Sequence, residues 1–206
     1  MLIKFETLLA HMEAPVKGIL HVGAHMCEEL ERYRENASEN IIWIEADPDT
    51  CERARQIHPD ERILNYLVTD EDDTQHTFNV ANNNESSSIL NFGTHKVYHT
   101  DVEFVGKKVL RSKRIDTIYE ENGIAEDFAN FLNVDIQGAE LLALKSMGGL
   151  IRHFDYVYVE VNTEEVYENC ALLDELKEFL GTRGFDMVLL AMTTCKWGDA
   201  FFVRRR

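Results

Sequence analysis

The chain has 206 residues, enough for one α/β domain with a sizeable core and little room for a second. Its 37 acidic against 21 basic residues leave a net charge of −16, which repels phosphate backbones and anionic headgroups, so neither nucleic acid nor a membrane surface is an expected partner. Four scattered cysteines (Cys27, Cys51, Cys170 and Cys195) form no CxxC pair, which argues against a zinc ribbon or disulfide framework and fits reduced thiols in a cytoplasmic compartment.

Residues 1–15, MLIKFETLLAHMEAP, are interrupted by Glu6 and His11; they make a poor secretory signal and read as a short amphipathic helical extension. No apolar run approaches the roughly 18 residues of a membrane span. Ile19-Leu20 with Val22 forms a first strand ended by Gly23, and a helix follows with Met26, Leu30, Tyr33 and Ala37 on one face. Ile41 to Ile44 is a second strand, apolar on consecutive positions as in a sheet covered on both faces. Asp47 as N-cap and Pro48 at the first helical position open a second helix. Ile63 to Val68 is a third strand and completes a βαβαβ unit. Residues 74–115 are less regular, with Thr77 to Val80 and Lys108 to Arg111 as extra strands flanking a polar loop at 82–101. Basic clusters at Lys107, Lys108, Arg111, Lys113 and Arg114 and at Arg204 to Arg206 read as solvated faces.

The rhythm resumes with a strand at Phe128 to Val134, a helix from Gln137 to Lys145 and a strand from Tyr156 to Val161. Leu172, Leu173, Leu176, Phe179 and Leu180 mark a helix that stops near Gly181 or Gly184. Phe185 to Ala191 and Ala200 to Val203 are joined by a polar turn containing Gly198 and Asp199; with no helix between them they should pair antiparallel. A closing hairpin of this kind is uncommon in dehydrogenases and usual in class I methyltransferases. The expectation is therefore a single Rossmann-like α/β domain over 1–206, with helices on both faces of a mostly parallel sheet.

In such a sheet, ligands bind outside the carboxyl ends of the strands. After the first strand, Gly23 and Ala24 leave room for a ligand to approach the backbone, with His21, His25 and Glu28 around them. Glu45, 22 residues beyond Gly23, can accept both hydroxyls of an adenosine ribose or can cap the next helix; Ala46 and Val68 complete the candidate cofactor set. A nicotinamide dinucleotide would need glycines where His25 and Glu28 stand, and an acid there would face pyrophosphate at a helix N-terminus. A sulfonium cofactor carries no phosphate, so the charges favour S-adenosylmethionine, with an NAD-dependent oxidoreductase as an alternative.

Asp135 and Glu160 end neighbouring strands. They can hold the methionyl ammonium, act as general base or share a divalent cation, and Glu160 can also be a helix cap or buried ion pair. Magnesium is not an expected cofactor, and no residue is assigned as a metal ligand. His95 and His99, four residues apart near Asp101, are loop histidines, and His95 is a further candidate base. The loop residues Asn83, Ser87, Ser88 and His99, with Asn162, suit a polyhydroxylated acceptor, so the expected substrate is a hydroxyl of a sugar or glycan, taken up by a monomer or homodimer.

The stretches HVGAHMCEELERY, IIWIEADPD, ESSSIL, RIDTI, FLNVDIQGAELLALKSM and YVYVEVN, followed by the GFDMV strand, resemble the FkbM-type methyltransferases over nearly all of residues 18–190. The resemblance implies the class I fold with a mostly parallel seven-stranded sheet, and O-methylation of varied acceptors that include sugars and polyketide-derived compounds. It places Gly23 and Ala24 against the cofactor, Glu45 at its ribose and Asp135 at the reaction centre. The chain departs from the pattern in the cofactor loop: many members carry an acid where it has His21, Asn where it has His25 and Gly where it has Cys27. A non-catalytic cofactor-binding module is the remaining alternative.

Overall fold

Unbroken burial along short apolar runs puts four strands at the centre of the molecule; the computed structural model describes residues 1–205, and Arg206 of the terminal basic cluster lies outside the described residues. The first half contains α1 (Phe5–Leu9), β1 (Ile19–Val22), α2 (Leu30–Asn36), β2 (Ile41–Glu45), α3 (Pro48–Ile57) and β3 (Arg62–Asn65). An inserted region follows, with β4 (Leu67–Val68), β5 (Gln75–Ala81), α4 (His95–Tyr98) and β6 (Phe104–Lys113). The second half contains α5 (Ile115–Glu121), β7 (Phe131–Val134), α6 (Glu140–Ser146), a 3-10 segment (Gly148–His153), β8 (Tyr156–Asn162), α7 (Leu173–Gly181), β9 (Phe185–Met192) and β10 (Trp197–Arg204).

The main sheet has seven strands in the order β3-β2-β1-β7-β8-β10-β9. Its first five members are parallel, and β10 runs antiparallel to both β8 and β9, as the closing hairpin requires. Phe5, Leu8, Leu30, Tyr33, Cys51 and Ala54 from α1, α2 and α3 cover one face. Ile118, Leu144, Leu150, Leu176 and Leu180 cover the other. The N-terminal extension is part of the core, since Phe5 and Leu8 are fully buried. Asp47 caps α3 as expected, accepting a bond from the Asp49 N–H, with Pro48 at the first position. Among the described residues no helix is long and apolar enough to cross a membrane.

Several boundaries differ from the sequence expectation for local reasons. His25 (φ 44°) and Cys27 (φ 60°) adopt left-handed conformations, so turns occupy the stretch around Met26 and α2 begins only at Leu30. The expected third strand divides at Tyr66: Arg62–Asn65 joins the main sheet, and Leu67–Val68 leaves it to pair with β6. Gln137 (φ 56°) and Gly138 (φ 101°) delay α6 to Glu140. The strand expected from Phe128 starts at Phe131. Asp199, expected in a turn, lies inside β10 with its side chain buried. Helix α5, absent from the sequence reading, is formed by the IDTIYEE stretch and buries Ile115, Ile118 and Tyr119.

β4, β6 and β5 form a second, three-stranded sheet. The β5–β6 ribbon is pinned to the start of α3 by the Lys108 ammonium, which bonds both Asp47 and Asp49. That pin holds the inserted region over the carboxyl ends of β1 and β2.

Candidate functional site

Side chains two apart on a strand share a face, so register determines what meets at the sheet edge. His21 lies beside Asn133, and Asn133 beside Tyr158. One step toward the carboxyl ends, Gly23, Asp135 and Glu160 form the next level, and Asp199 of β10 pairs with Glu160. The site is thus a stepped floor, polar at its base and acidic at its lip.

Two joined clefts open above it. The smaller spans about 650 Å³, counting the open solvent at its mouth, and is walled by Ile44, Ala46, Val68, Phe78 and Ile89, with Glu45 among its polar side chains. The larger spans about 1440 Å³, counting open solvent, and is lined by His21, Glu28, Asn83, His95, His99, Tyr158, Glu160, Tyr167 and Asp199, among others. Gly23, His25, Glu85, Asp135 and Gln137 belong to both, so the clefts meet at Asp135. Among the described residues no lysine or arginine lines either cleft.

Glu45 organises the smaller cleft. Its two oxygens accept the His25 and Asp47 N–H groups, each at 2.8 Å, fixing the loops after β1 and β2 together. An ionised carboxylate has further lone pairs, which remain for a ligand hydroxyl. Ser87 and Ser88 line this cleft and not the larger one. The Ser88 hydroxyl donates to the Gln137 carbonyl at 2.7 Å, so it ties the serine loop to the turn after β7.

The acidic lip is held by one amide. Gln137 Nε2 donates to Asp135 Oδ1 at 2.7 Å and to Glu160 Oε2 at 3.1 Å, while its Oε1 accepts the Tyr167 hydroxyl at 2.7 Å. Glu140 joins from behind: one oxygen accepts the Ile136 and Gly138 N–H groups at 3.0 Å, and the other is buried without a partner. Asp135, Glu140 and Glu160 each offer an oxygen within 4.8 Å of the others, a spacing that can surround a cation. Burial pushes the Asp135 carboxyl up to about 6 and that of Glu140 to about 7. Burial and the neighbouring Asp135 and Glu140 charges lift Glu160 well above the carboxylate range.

These raised values have a consequence for stability. The folded chain keeps carboxyl protons that the unfolded chain releases near pH 4, so the carboxyls' contribution falls as pH rises from about 4 through 6–7, offset below about pH 6.5 by buried His21 and His95, which take up protons more readily when unfolded. The ligand-free protein is expected to melt several degrees lower at pH 8 than at pH 6.5, and Glu160→Gln is expected to flatten that slope; thermal scans across pH check it.

The histidines divide by environment. Burial pushes His21 and His95 down to about 4, leaving both neutral, whereas the Glu28 carboxylate bonded to His25 Nδ1 at 2.6 Å raises His25. His95 stacks on Phe92 at 4.2 Å and faces His99 at 4.8 Å between ring centroids. Among the described residues neither histidine belongs to a group with metal-ligand spacing.

Most expected site residues converge on the two clefts: His21, Gly23, His25, Glu28, Glu45, Ala46, Val68, Asn83, Ser87, Ser88, His95, His99, Asp135 and Glu160. Ala24 does not, because its methyl packs into the apolar cluster around Tyr33 and Trp43. Asn162, expected at the acceptor, is fully buried at the end of β8 and lines neither cleft. Sequence reading missed Asn133, Gln137, Glu140 and Asp199. Asn133 had a visible signal, since Phe131, Asn133 and Asp135 alternate toward one face and a polar residue inside such a strand needs a reason.

Comparison with known proteins agrees with this geometry. The chain matches the family described as the methyltransferase FkbM domain over residues 20–187. No match is found among curated proteins. Among solved structures it is similar to M. capricolum TrmK in complex with S-adenosyl-homocysteine (8% identity, 99% of this chain and 69% of that one, TM-score 0.54). It is also similar to a SAM-dependent methyltransferase from Aquifex aeolicus (12% identity, 97% and 89%, TM-score 0.50). A third likeness is magnesium protoporphyrin IX methyltransferase from Synechocystis PCC 6803 with bound SAM (9% identity, 97% and 76%, TM-score 0.50). At these identities the likenesses show the fold, which is the Rossmann-like class I arrangement expected from the sequence.

Proposed function

This chain belongs to the FkbM methyltransferase domain family, and from that premise we propose that it transfers a methyl group from S-adenosylmethionine to a hydroxyl of a sugar or glycan. The observation that carries the reading is the junction of the clefts: a small, largely apolar pocket with a carboxylate opens at Asp135 into a larger polar one. The smaller suits an adenosine, with Glu45 toward the ribose and Ile44, Val68 and Phe78 against the base. The cleft system fits a cationic, phosphate-free cofactor because no lysine or arginine among the described residues lines it, while its cationic groups, His25 and the Met1 ammonium, are paired with Glu28 and Glu29, leaving Glu45, Glu85 and Asp135 as further carboxylates.

When bound, the cofactor supplies an electrophilic methyl on a sulfonium. Passage of that methyl to an acceptor oxygen would leave S-adenosylhomocysteine and a hydroxyl proton, for which the chain must supply a base. Asp135 stands at the junction and takes that role, held in place by Gln137. Glu160 and His95 border the same space, and Asn83 and His99 offer polar contacts on the acceptor side. A positioned base contributes about 10²–10⁴-fold.

S-adenosylhomocysteine at about 100 times its dissociation constant is expected to raise the melting temperature by roughly 5–10 °C, with no shift from NAD. With a methyl-labelled cofactor, label is expected on sugar hydroxyls. Label confined to protein or to phenols would overturn the acceptor class, and binding without transfer to any acceptor would favour a non-catalytic module.

A further inference from the structure

Three carboxyl groups meet at the acidic lip, and like charges that close repel unless something lies between them. We infer that Asp135, Glu140 and Glu160 hold one divalent cation of the oxygen-preferring kind: magnesium, manganese or calcium. Each offers an oxygen within 4.8 Å of the other two, and among the described residues this is the one group with metal-ligand spacing. The three come from separate elements: Asp135 follows β7, Glu140 opens α6 and Glu160 lies in β8. The fold therefore assembles the group, and no single loop does.

A second observation marks the place independently of the spacing. Glu140 is fully buried, and one of its oxygens has no hydrogen-bond partner. Its other oxygen accepts the Ile136 and Gly138 N–H groups at 3.0 Å, which fixes the orientation of the carboxyl. A buried carboxyl oxygen without a donor is costly, and ligation to a cation removes that cost. The way in is open, because Asp135 lines both clefts and Glu160 the larger; Glu140 alone approaches from the protein side. The group contains no imidazole or thiolate, which fits hard cations and not zinc or copper.

Gln137 can supply a further oxygen by turning its amide. Nε2 bridges Asp135 and Glu160, while Oε1 accepts the Tyr167 hydroxyl, which also reaches the Ser86 carbonyl at 3.2 Å. After a half-turn of the amide, the Tyr167 hydroxyl donates to Ser86 and accepts from Nε2, and Oε1 faces the carboxylates. The ion needs one oxygen of Asp135, which leaves the other for the acceptor's proton.

The test is thermal unfolding of the full chain, first stripped with a chelator, in magnesium, manganese or calcium chloride, with sodium chloride at matched ionic strength as control. At about 100 times its dissociation constant, at least one of the three is expected to raise the melting temperature by roughly 5–10 °C. Manganese followed by electron paramagnetic resonance is expected to bind at one ion per chain. Glu140→Gln keeps an oxygen for the Ile136 and Gly138 N–H groups. It is expected to abolish the shift while melting in chelator no lower than wild type, which shows that it is folded. Glu160→Gln is expected to weaken binding by about tenfold or more. Glu85→Gln, which removes a carboxylate that lines both clefts outside the group, is expected to keep the shift. A wild-type shift no larger than that in sodium chloride overturns the inference. So does a shift that survives in Glu140→Gln, or one lost equally in Glu85→Gln, which would assign a diffuse attraction to the acidic clefts. None of the probes contains cofactor or acceptor, so failure here leaves the methyltransferase reading standing.

Discussion

Replacing Gly23 by alanine is expected to abolish binding of S-adenosylhomocysteine and to lower the melting temperature by about 10 °C. Gly23 has φ +93°, a conformation that costs an L-residue about 1–3 kcal/mol. An alanine Cβ would lie 1.7 Å from the Asp135 carbonyl oxygen and 2.7 Å from its carbon. Those atoms are backbone, and the Asp135 N–H is already bonded to the Val22 carbonyl at 2.9 Å, so no side-chain rotation relieves the overlap. The strands must part where the two clefts meet. A cost of roughly 4 kcal/mol sits at the upper end of single-substitution effects, and each kcal/mol moves the melting temperature of a chain this long by about 2–4 °C. Differential scanning and binding calorimetry check both parts, and wild-type affinity in the variant would show that the turn after β1 does not cradle the cofactor.

Asp135→Asn is expected to reduce methyl transfer by about 10²–10⁴-fold and to change S-adenosylhomocysteine affinity by less than about tenfold. Asparagine keeps the oxygen that Gln137 Nε2 bonds, so the lip retains its shape and loses only the basic oxygen. The wild-type rate should rise with pH through about 6, because burial raises this carboxyl and only its ionised form accepts a proton. The variant should lose that limb of the profile. Transfer at the wild-type rate with an unchanged profile would move the base to Glu160 or His95, which border the same space.

The frame of this protein was readable because its physics is local. Consecutive apolar residues at Ile41–Ile44 mark a strand covered on both faces, and Asp47-Pro48 marks a helix start; both lie where expected. The closing hairpin followed from the lack of a helix between two strands. Glu45 and Asp135 could be named because strand ends are where open sheets bind ligands, and both line the clefts. What stayed hidden depends on contacts between distant strands. Asp199 read as a turn residue because its place beside Glu160 arises only from β8–β10 register. Gln137 could not be singled out until the Asp135 and Glu160 oxygens were seen to share its amide. The opposite error has the same source: Asn162 and Ala24 sit near strand ends in sequence, yet burial removes Asn162 from the clefts and turns Ala24 into the core.

The inserted ribbon bears on how such a chain can diversify. Its departure after β3 and return before α5 leave the register of the main sheet untouched, and it is fixed to the rest of the fold by the Lys108 pin, the Ser88–Gln137 bond and a run of backbone bonds between residues 91–95 and the segment after β8. Residues 82–85 and 96–101, outside those bonds, can therefore be rewritten by mutation or lengthened while Gly23, Glu45 and Asp135 keep their places. Ancestry would then be recorded in the strands and adaptation in the ribbon, and two descendants could share nearly every residue of the donor pocket while facing different chemistry across it.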